Sequence, residues 1–143
     1  MSNVAQPNGD DHPEAAGKHL IDSHTLVAAG RSDGAAYLAG YVVECCLKTL
    51  VLFQAGAVAA IHDLNSLTSE ALKLAALPGS KTARYVPSQT PGHPLYHPAN
   101  GWAPGLRYRP PGHVAQAEVV AWIAEAELVY NSTIVPMKLD GVI

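Results

Sequence analysis

The chain has 143 residues, of which 48% are hydrophobic and 15% are charged, and its formal net charge at pH 7 is −3. This length predicts one domain with a single core, and the composition is far from that of a disordered chain. The negative charge argues against nucleic-acid binding by the surface as a whole. The only two cysteines are the adjacent Cys45 and Cys46, which would be strained as a disulfide and are expected to be reduced. No secretory signal opens the chain, and we expect a cytoplasmic protein.

The N-terminal part predicts a flexible lead over residues 1–11 and then a first helix. Residues 1–11 are polar and contain glycine. Pro13 suits the first turn of a helix, which is expected to run to Ala29 and to stop at Gly30. The residues expected to face inward are Leu20, Ser23, Leu26 and Val27.

The second predicted helix is apolar almost all round, yet it carries one narrow polar stripe. The apolar run spans Gly34–Phe53, with Asp33 as a candidate cap and Gly56 after its end. At about 100° per residue, four polar side chains project within about 60° of one another. They are Tyr37, Tyr41, Glu44 and Lys48.

A membrane span and a buried helix both explain so apolar a run, which reaches about the 20 residues that a bilayer needs. Glu44 and Lys48 lie beyond its midpoint, however, and a central charged residue costs about 2.5 to 3.5 kcal/mol there. The stripe therefore favours the central helix of a helical bundle with no membrane role. Glu44 and Lys48 are expected to pair with each other at i, i+4 or to meet partners on a neighbouring helix. Such a helix also predicts an exposed apolar face that a homodimer would cover.

Two further helices are predicted, and no strand signal is longer than a few residues. Asp63 can cap the third helix, which is halted by Pro78. The fourth is expected to start near His113 and to end before a C-terminal tail at 132–143. Its apolar residues recur at three and four, with Glu118, Glu125 and Glu127 toward the edge or outside. The simplest architecture is all-α, an antiparallel four-helix bundle.

The connection between the third and fourth helices is unusually long and basic. Residues 78–112 contain 13 Gly or Pro among 35 residues, far more than a bundle connection needs. No Asp or Glu occurs from Ala71 to Ala117, where five cations give +5. The asymmetry predicts a local anion site, and its alternative is that these cations pair with the surrounding acidic helices. The candidate phosphate- or RNA-binding residues are Lys81, Arg84, Tyr108 and Arg109.

Neither a metal site nor a cofactor is predicted. His93 and His97 are four residues apart, but the prolines around them prevent the helix that would place both side chains on one metal ion.

Two stretches of the chain resemble HEPN-domain proteins. The first is AAYLAGYVVECCLK, preceded by AAGRSDG and followed by HDLNSL at 62–67, which is similar to the second helix of that family and its flanks. The second is Trp102 followed by LRYRP at 106–110, which is similar to the family's closing section. The resemblance covers roughly residues 18–130 and implies a small prokaryotic HEPN-like helical domain, placed here at 12–131. The motif around Tyr37–Lys48 does not indicate whether a protein that carries it is an enzyme.

The sharpest chemical candidate is Arg107-x5-His113, which fits the Arg-x(4 to 6)-His pattern of HEPN ribonucleases. An imidazole can take the proton of a ribose 2′-hydroxyl, and a guanidinium can hold the phosphate as charge builds on it. The resemblance implies a metal-independent endoribonuclease that works as a homodimer. The structural alternatives are a salt bridge from Arg107 to Glu44 and a capping role for His113 at the fourth helix.

Three functions follow from these residues. The first is an RNA-cleaving enzyme of toxin–antitoxin type. The second is a non-catalytic HEPN module that binds RNA or a nucleotide, or that partners a nucleotidyltransferase. The third is a helical interaction protein with no nucleic-acid role.

Overall fold

The computed structural model describes all 143 residues and contains four α-helices and no strand. The expected all-α class is confirmed. The helices are α1 (His12–Ala28), α2 (Ser32–Ala55), α3 (Leu64–Ala75) and α4 (Gln116–Leu139). Three short 3-10 helices lie between α3 and α4, namely η1 (Ala83–Tyr85), η2 (Pro94–Tyr96) and η3 (Pro104–Tyr108).

Local signals explain most of the helix ends. The Asp63 side chain accepts a hydrogen bond from the backbone N–H of Ser66 at 2.7 Å, which caps α3. Gly56 ends α2 with a left-handed φ of 74°, a conformation that glycine adopts without a Cβ clash. Asp33 does not cap α2, because the cap position is Arg31 and Asp33 lies inside the first turn.

The α2 helix is the centre of the fold, and α1, α3 and α4 all pack against it. Fifteen of its 24 residues are buried. It is long and apolar enough to cross a membrane, but 78% of its most apolar window is buried inside the molecule. The exposed apolar face expected on this helix is therefore absent, because the other three helices cover it. The homodimer that this face was to explain stays a prediction.

The α4 helix is longer than expected and carries a buried acid. It begins at Gln116, three residues after His113, and runs on to Leu139, through most of the segment expected to be a tail. Thr133, Ile134 and Met137 in that part are fully buried. Tertiary packing therefore stabilises a helical end that the sequence pattern does not predict. Glu125, expected at the edge, is only 3% exposed.

The Pro/Gly-rich segment follows the surface of the helices and is attached to them at several points. Near its start, the Tyr85 hydroxyl donates to the Asp140 carboxylate at 2.6 Å. Near its end, the Gly112 N–H donates to Asp33 at 2.7 Å. Between these points the Trp102 indole N–H donates to a carbonyl of α2 at 2.8 Å. The segment thereby brings its cations to fixed places beside α2 and α4.

Candidate functional site

The polar stripe of α2 contains a buried ion pair. Glu44 is 3% exposed and Lys48 is 7% exposed. Nζ of Lys48 lies 2.8 Å from Oε1 of Glu44. The same Oε1 lies 3.0 Å from Nδ1 of His62, whose side chain is 59% exposed. His62 directly precedes Asp63, the cap of α3. No spacing rule links it to Glu44, 18 residues earlier.

The other end of the stripe is aromatic. Tyr37 donates its hydroxyl to Tyr41 at 3.3 Å, and the ring of Tyr41 meets Trp102 edge to face at 4.9 Å between centroids. The ring of His19 on α1 also lies near Tyr41, with 5.9 Å between the two ring centroids. Burial is the main cause that raises the pKa of the Tyr41 hydroxyl, so Tyr41 remains a neutral hydrogen-bonding group at ordinary pH.

Two histidines of α1 lie at this stripe with unsatisfied ring nitrogens. Nε2 of His12 and Nδ1 of His19 are buried without a hydrogen-bond partner, as is Oε2 of Glu44. Burial lowers the pKa of both imidazoles, and the charge of Lys48 lowers that of His12 further. Burial therefore disfavours the charged form of both rings. A single histidine on a helix gives no sequence signal that its ring is buried beside such a stripe.

Arg107 and Tyr108 stand at the exposed end of η3. Both are exposed, Tyr108 to 78%, and the guanidinium lies 4.9 Å from the Tyr108 ring centroid. The pKa of Arg107 is raised, mainly by hydrogen bonding to the neighbouring Tyr37 side chain. The proposed salt bridge from Arg107 to Glu44 does not form, because Glu44 is paired with Lys48 and His62.

His113 shares a cavity with Arg109 and not with Arg107. The cavity measures about 350 Å³, and its lining includes Arg109, His113, Glu118 and the Asn100–Gly101 turn. His113 is exposed and does not cap α4, whose cap position is Ala115. Within one chain, His113 and Arg109 thus line the same cavity, and Arg107 does not line it.

The remaining predicted cations lie away from this cavity. Arg84 forms an ion pair with Asp140 at 3.2 Å. Lys81 lies over the ring of Phe53 at 5.3 Å. Neither residue lines a cavity with Arg109 or His113.

No three His, Cys, Asp or Glu side chains come close enough together to hold a metal ion. His93 and His97 instead use their Nδ1 atoms to accept backbone hydrogen bonds within their own loop.

The chain matches no protein-family model, and neither a curated protein nor a solved structure is detectably similar to it.

Proposed function

We propose that this chain is an RNA-binding protein of HEPN type, an antiparallel four-helix bundle that holds single-stranded RNA at Arg107, Tyr108 and Arg109. One observation carries the proposal. All three side chains are exposed, and neither arginine has a carboxylate within the 4.0 Å that defines an ion pair. The positive charges of Arg107 and Arg109 are therefore available to a partner.

Arg84 pairs with Asp140, but two buried acids of the surrounding helices, Glu44 and Glu125, bind groups other than Arg107 and Arg109. Glu44 binds Lys48 and His62. Glu125 accepts hydrogen bonds from the Thr90 N–H and the Tyr96 hydroxyl. These contacts favour an anion-binding role for the segment over a purely structural one.

The residue types suit a single strand. A guanidinium can donate two parallel hydrogen bonds to a phosphate. An exposed aromatic ring can stack on an unpaired base, which is worth about 1 to 3 kcal/mol per base. Two arginines with a tyrosine between them thus offer contacts to both parts of a nucleotide.

Cleavage is the second part of the proposal. His113 removes the proton of a ribose 2′-hydroxyl, and that oxygen attacks the adjacent phosphorus. The bond from phosphorus to the 5′-oxygen breaks, the 5′-oxygen takes a proton, and a 2′,3′-cyclic phosphate is left. The resemblance assigns the phosphate contact to Arg107, whereas the shared cavity favours Arg109 within one chain. No metal takes part in these steps.

Fluorescence anisotropy with labelled single-stranded RNA in EDTA tests the binding. Arg107→Gln and Arg109→Gln should each weaken binding, because each removes a phosphate contact. Lys73→Gln is the matched control, since it removes the same charge from an exposed position on α3. Equal losses in all three variants would mean that only net charge matters and would contradict a defined site.

The products distinguish the two functional classes. RNA fragments with 2′,3′-cyclic phosphate ends, formed by the wild type in EDTA and absent with His113→Ala, support the ribonuclease. Binding without cleavage selects the non-catalytic module. If RNA neither binds nor is cut at low salt, where phosphate contacts are strongest, the proposal is overturned and an interaction protein remains.

A further inference from the structure

A second cavity lies between the start of α3 and the segment around η2. It measures about 170 Å³ and is lined by histidines from two different loops, His62 and His97. Asp63, Asn65 and Trp102 also contribute to its wall. Neither Arg109 nor His113 reaches it, so it is distinct from the cavity described above.

Glu44 determines the tautomer of His62. Its Oε1 lies 3.0 Å from Nδ1 of His62, and a carboxylate can only accept, so Nδ1 carries the hydrogen. In the neutral ring Nε2 is then an acceptor. The Glu44 side chain is 4% exposed and also bound to Lys48, which keeps this orientation of the ring in place.

The loop around His97 determines the opposite tautomer there. Nδ1 of His97 accepts the backbone N–H groups of Ala99 and Asn100 at 3.2 and 3.0 Å. The hydrogen therefore lies on Nε2, which is a donor. His97 therefore offers the cavity a hydrogen-bond donor, Nε2–H, while its Nδ1 is occupied by the two backbone N–H groups.

The charge of the wall argues against a phosphate in this cavity. No Lys or Arg lines it, whereas the acidic residue Asp63 does. Leu64, Leu95 and Trp102 supply apolar wall. A neutral ring with both a hydrogen-bond donor and an acceptor on its edge fits these groups, and every nucleobase has such an edge.

We propose that this cavity binds one unpaired nucleobase of the RNA strand, an inference that rests on the proposed function. His62 accepts from the base, His97 donates to it, and Glu44 is a positioning residue for His62. Pro104 lines the cavity and begins η3. At about 2 Å of rise per residue, Arg107 lies only about 6 Å further along that helix. A base in the cavity can thus belong to the nucleotide strand whose phosphate meets Arg107.

Asparagine variants isolate the two Nε2 groups. In His62→Asn, the amide nitrogen can still donate to Glu44 from near the Nδ1 position. In His97→Asn, the amide oxygen can still accept from the two backbone N–H groups near the Nδ1 position of His97. Each removes only the ring atom offered to the ligand. His24→Asn is the matched control, because His24 lies on α1 with its side chain 51% exposed and lines neither cavity.

The first measurement uses nucleosides, which carry no phosphate. Uridine, cytidine, adenosine and guanosine are titrated separately to millimolar concentrations, and the imidazole nitrogens are followed by two-dimensional ¹H–¹⁵N NMR. At least one nucleoside should shift the His62 and His97 resonances saturably, in wild type and in His24→Asn. Absence of a shift with all four nucleosides, or shifts with inorganic phosphate alone, would overturn the nucleobase assignment.

The second measurement compares four homopolymeric RNA hexamers. The wild type should prefer one base, and His62→Asn and His97→Asn should each bind that hexamer about five- to tenfold more weakly, the loss expected for one hydrogen bond. RNA binding with unchanged base preference in both variants would reject this inference and leave the proposed function intact. Nucleoside shifts without any hexamer binding would reject the proposed function and leave the cavity assignment.

Discussion

Gly40 of α2 lies directly beneath the indole ring of Trp102. A Cβ at position 40 would overlap that ring, and the indole N–H donates to the Tyr37 carbonyl three residues earlier on the same helix. The basic segment, residues 78–112, therefore packs on α2 at a position where only glycine leaves room for the Trp102 ring.

Gly40→Ala is expected to destabilise the protein despite the better helix propensity of alanine. The propensity gain is about 1 kcal/mol, whereas forcing the indole away costs about 1 to 3 kcal/mol or more in a packed core and breaks its hydrogen bond. Urea unfolding measures the net loss. Gly34→Ala on the same helix is the control, because its Cβ would meet only the flexible Leu26 side chain at 3.3 Å; equal effects of both changes would contradict this packing.

Removing the Glu44 carboxylate should cost far more than a surface ion pair is worth. Glu44→Leu leaves the Lys48 ammonium buried without a partner and should lose about 3 to 5 kcal/mol of unfolding free energy. Glu44→Leu combined with Lys48→Met should recover much of that loss, since the second change removes the stranded charge. A double variant as unstable as the single one would show that Lys48 reaches water when Glu44 is gone.

The histidines of α1 should make the fold sensitive to acid. Burial lowers the pKa of His12 and His19 below the ordinary 6.5 in the folded chain. Between the folded and unfolded pKa values the unfolded chain binds more protons. The unfolding free energy therefore falls as the pH drops through about 6.5 and stops falling below the folded pKa. Urea midpoints at about pH 7.5 and about pH 5.5 should differ in wild type and in His24→Gln, and less in a His12→Gln/His19→Gln variant.

Glu125 should control the order of the loop before η2. Its Oε1 lies 2.9 Å from the Thr90 nitrogen and 3.2 Å from the Tyr96 hydroxyl. Glu125→Ala removes the acceptor of both hydrogen bonds, at a cost of about 1 to 3 kcal/mol, and should speed hydrogen exchange at the Thr90 amide. Glu125→Gln keeps an acceptor and should protect that amide better than alanine does; identical exchange in the two variants would argue against the anchor.

The salt dependence of RNA affinity should report the arginine contacts. For a single strand, each lost phosphate contact reduces the slope of log affinity against log salt by about 0.7. Arg107→Gln and Arg109→Gln should each show this reduction, whereas His113→Ala should leave the slope unchanged and abolish cleavage. A parallel slope for all variants would place the phosphates elsewhere.

Sequence periodicity predicted the helices well where each helix carries its own signals. Asp63 begins α3 as its N-cap and Gly56 ends α2 as its C-cap, as expected from the sequence. The last third of α4 was missed because Ser132 and Thr133 are poor helix formers and Pro136 removes a backbone donor. Tertiary burial of Ile134 and Met137 outweighs those local preferences.

The contacts of the candidate sites were less predictable, because they join distant parts of the chain. Glu125 looked peripheral on its helix, but the loop at Thr90 covers it from 35 residues away in sequence. That His113 lines a cavity with Arg109 and not with Arg107 depends on how the chain turns after η3. Motif spacing pointed to Arg107 and contains no information about that turn.

The attachment of the basic segment has a kinetic consequence. Trp102 bonds to a residue 65 positions earlier, and Gly112 to one 79 positions earlier, so both contacts close long loops whose entropy cost must be met by helices already in place. We therefore expect Arg107 and Arg109 to reach their places late in folding. Transient detachment of this segment would scatter both guanidinium groups while the four helices stay assembled.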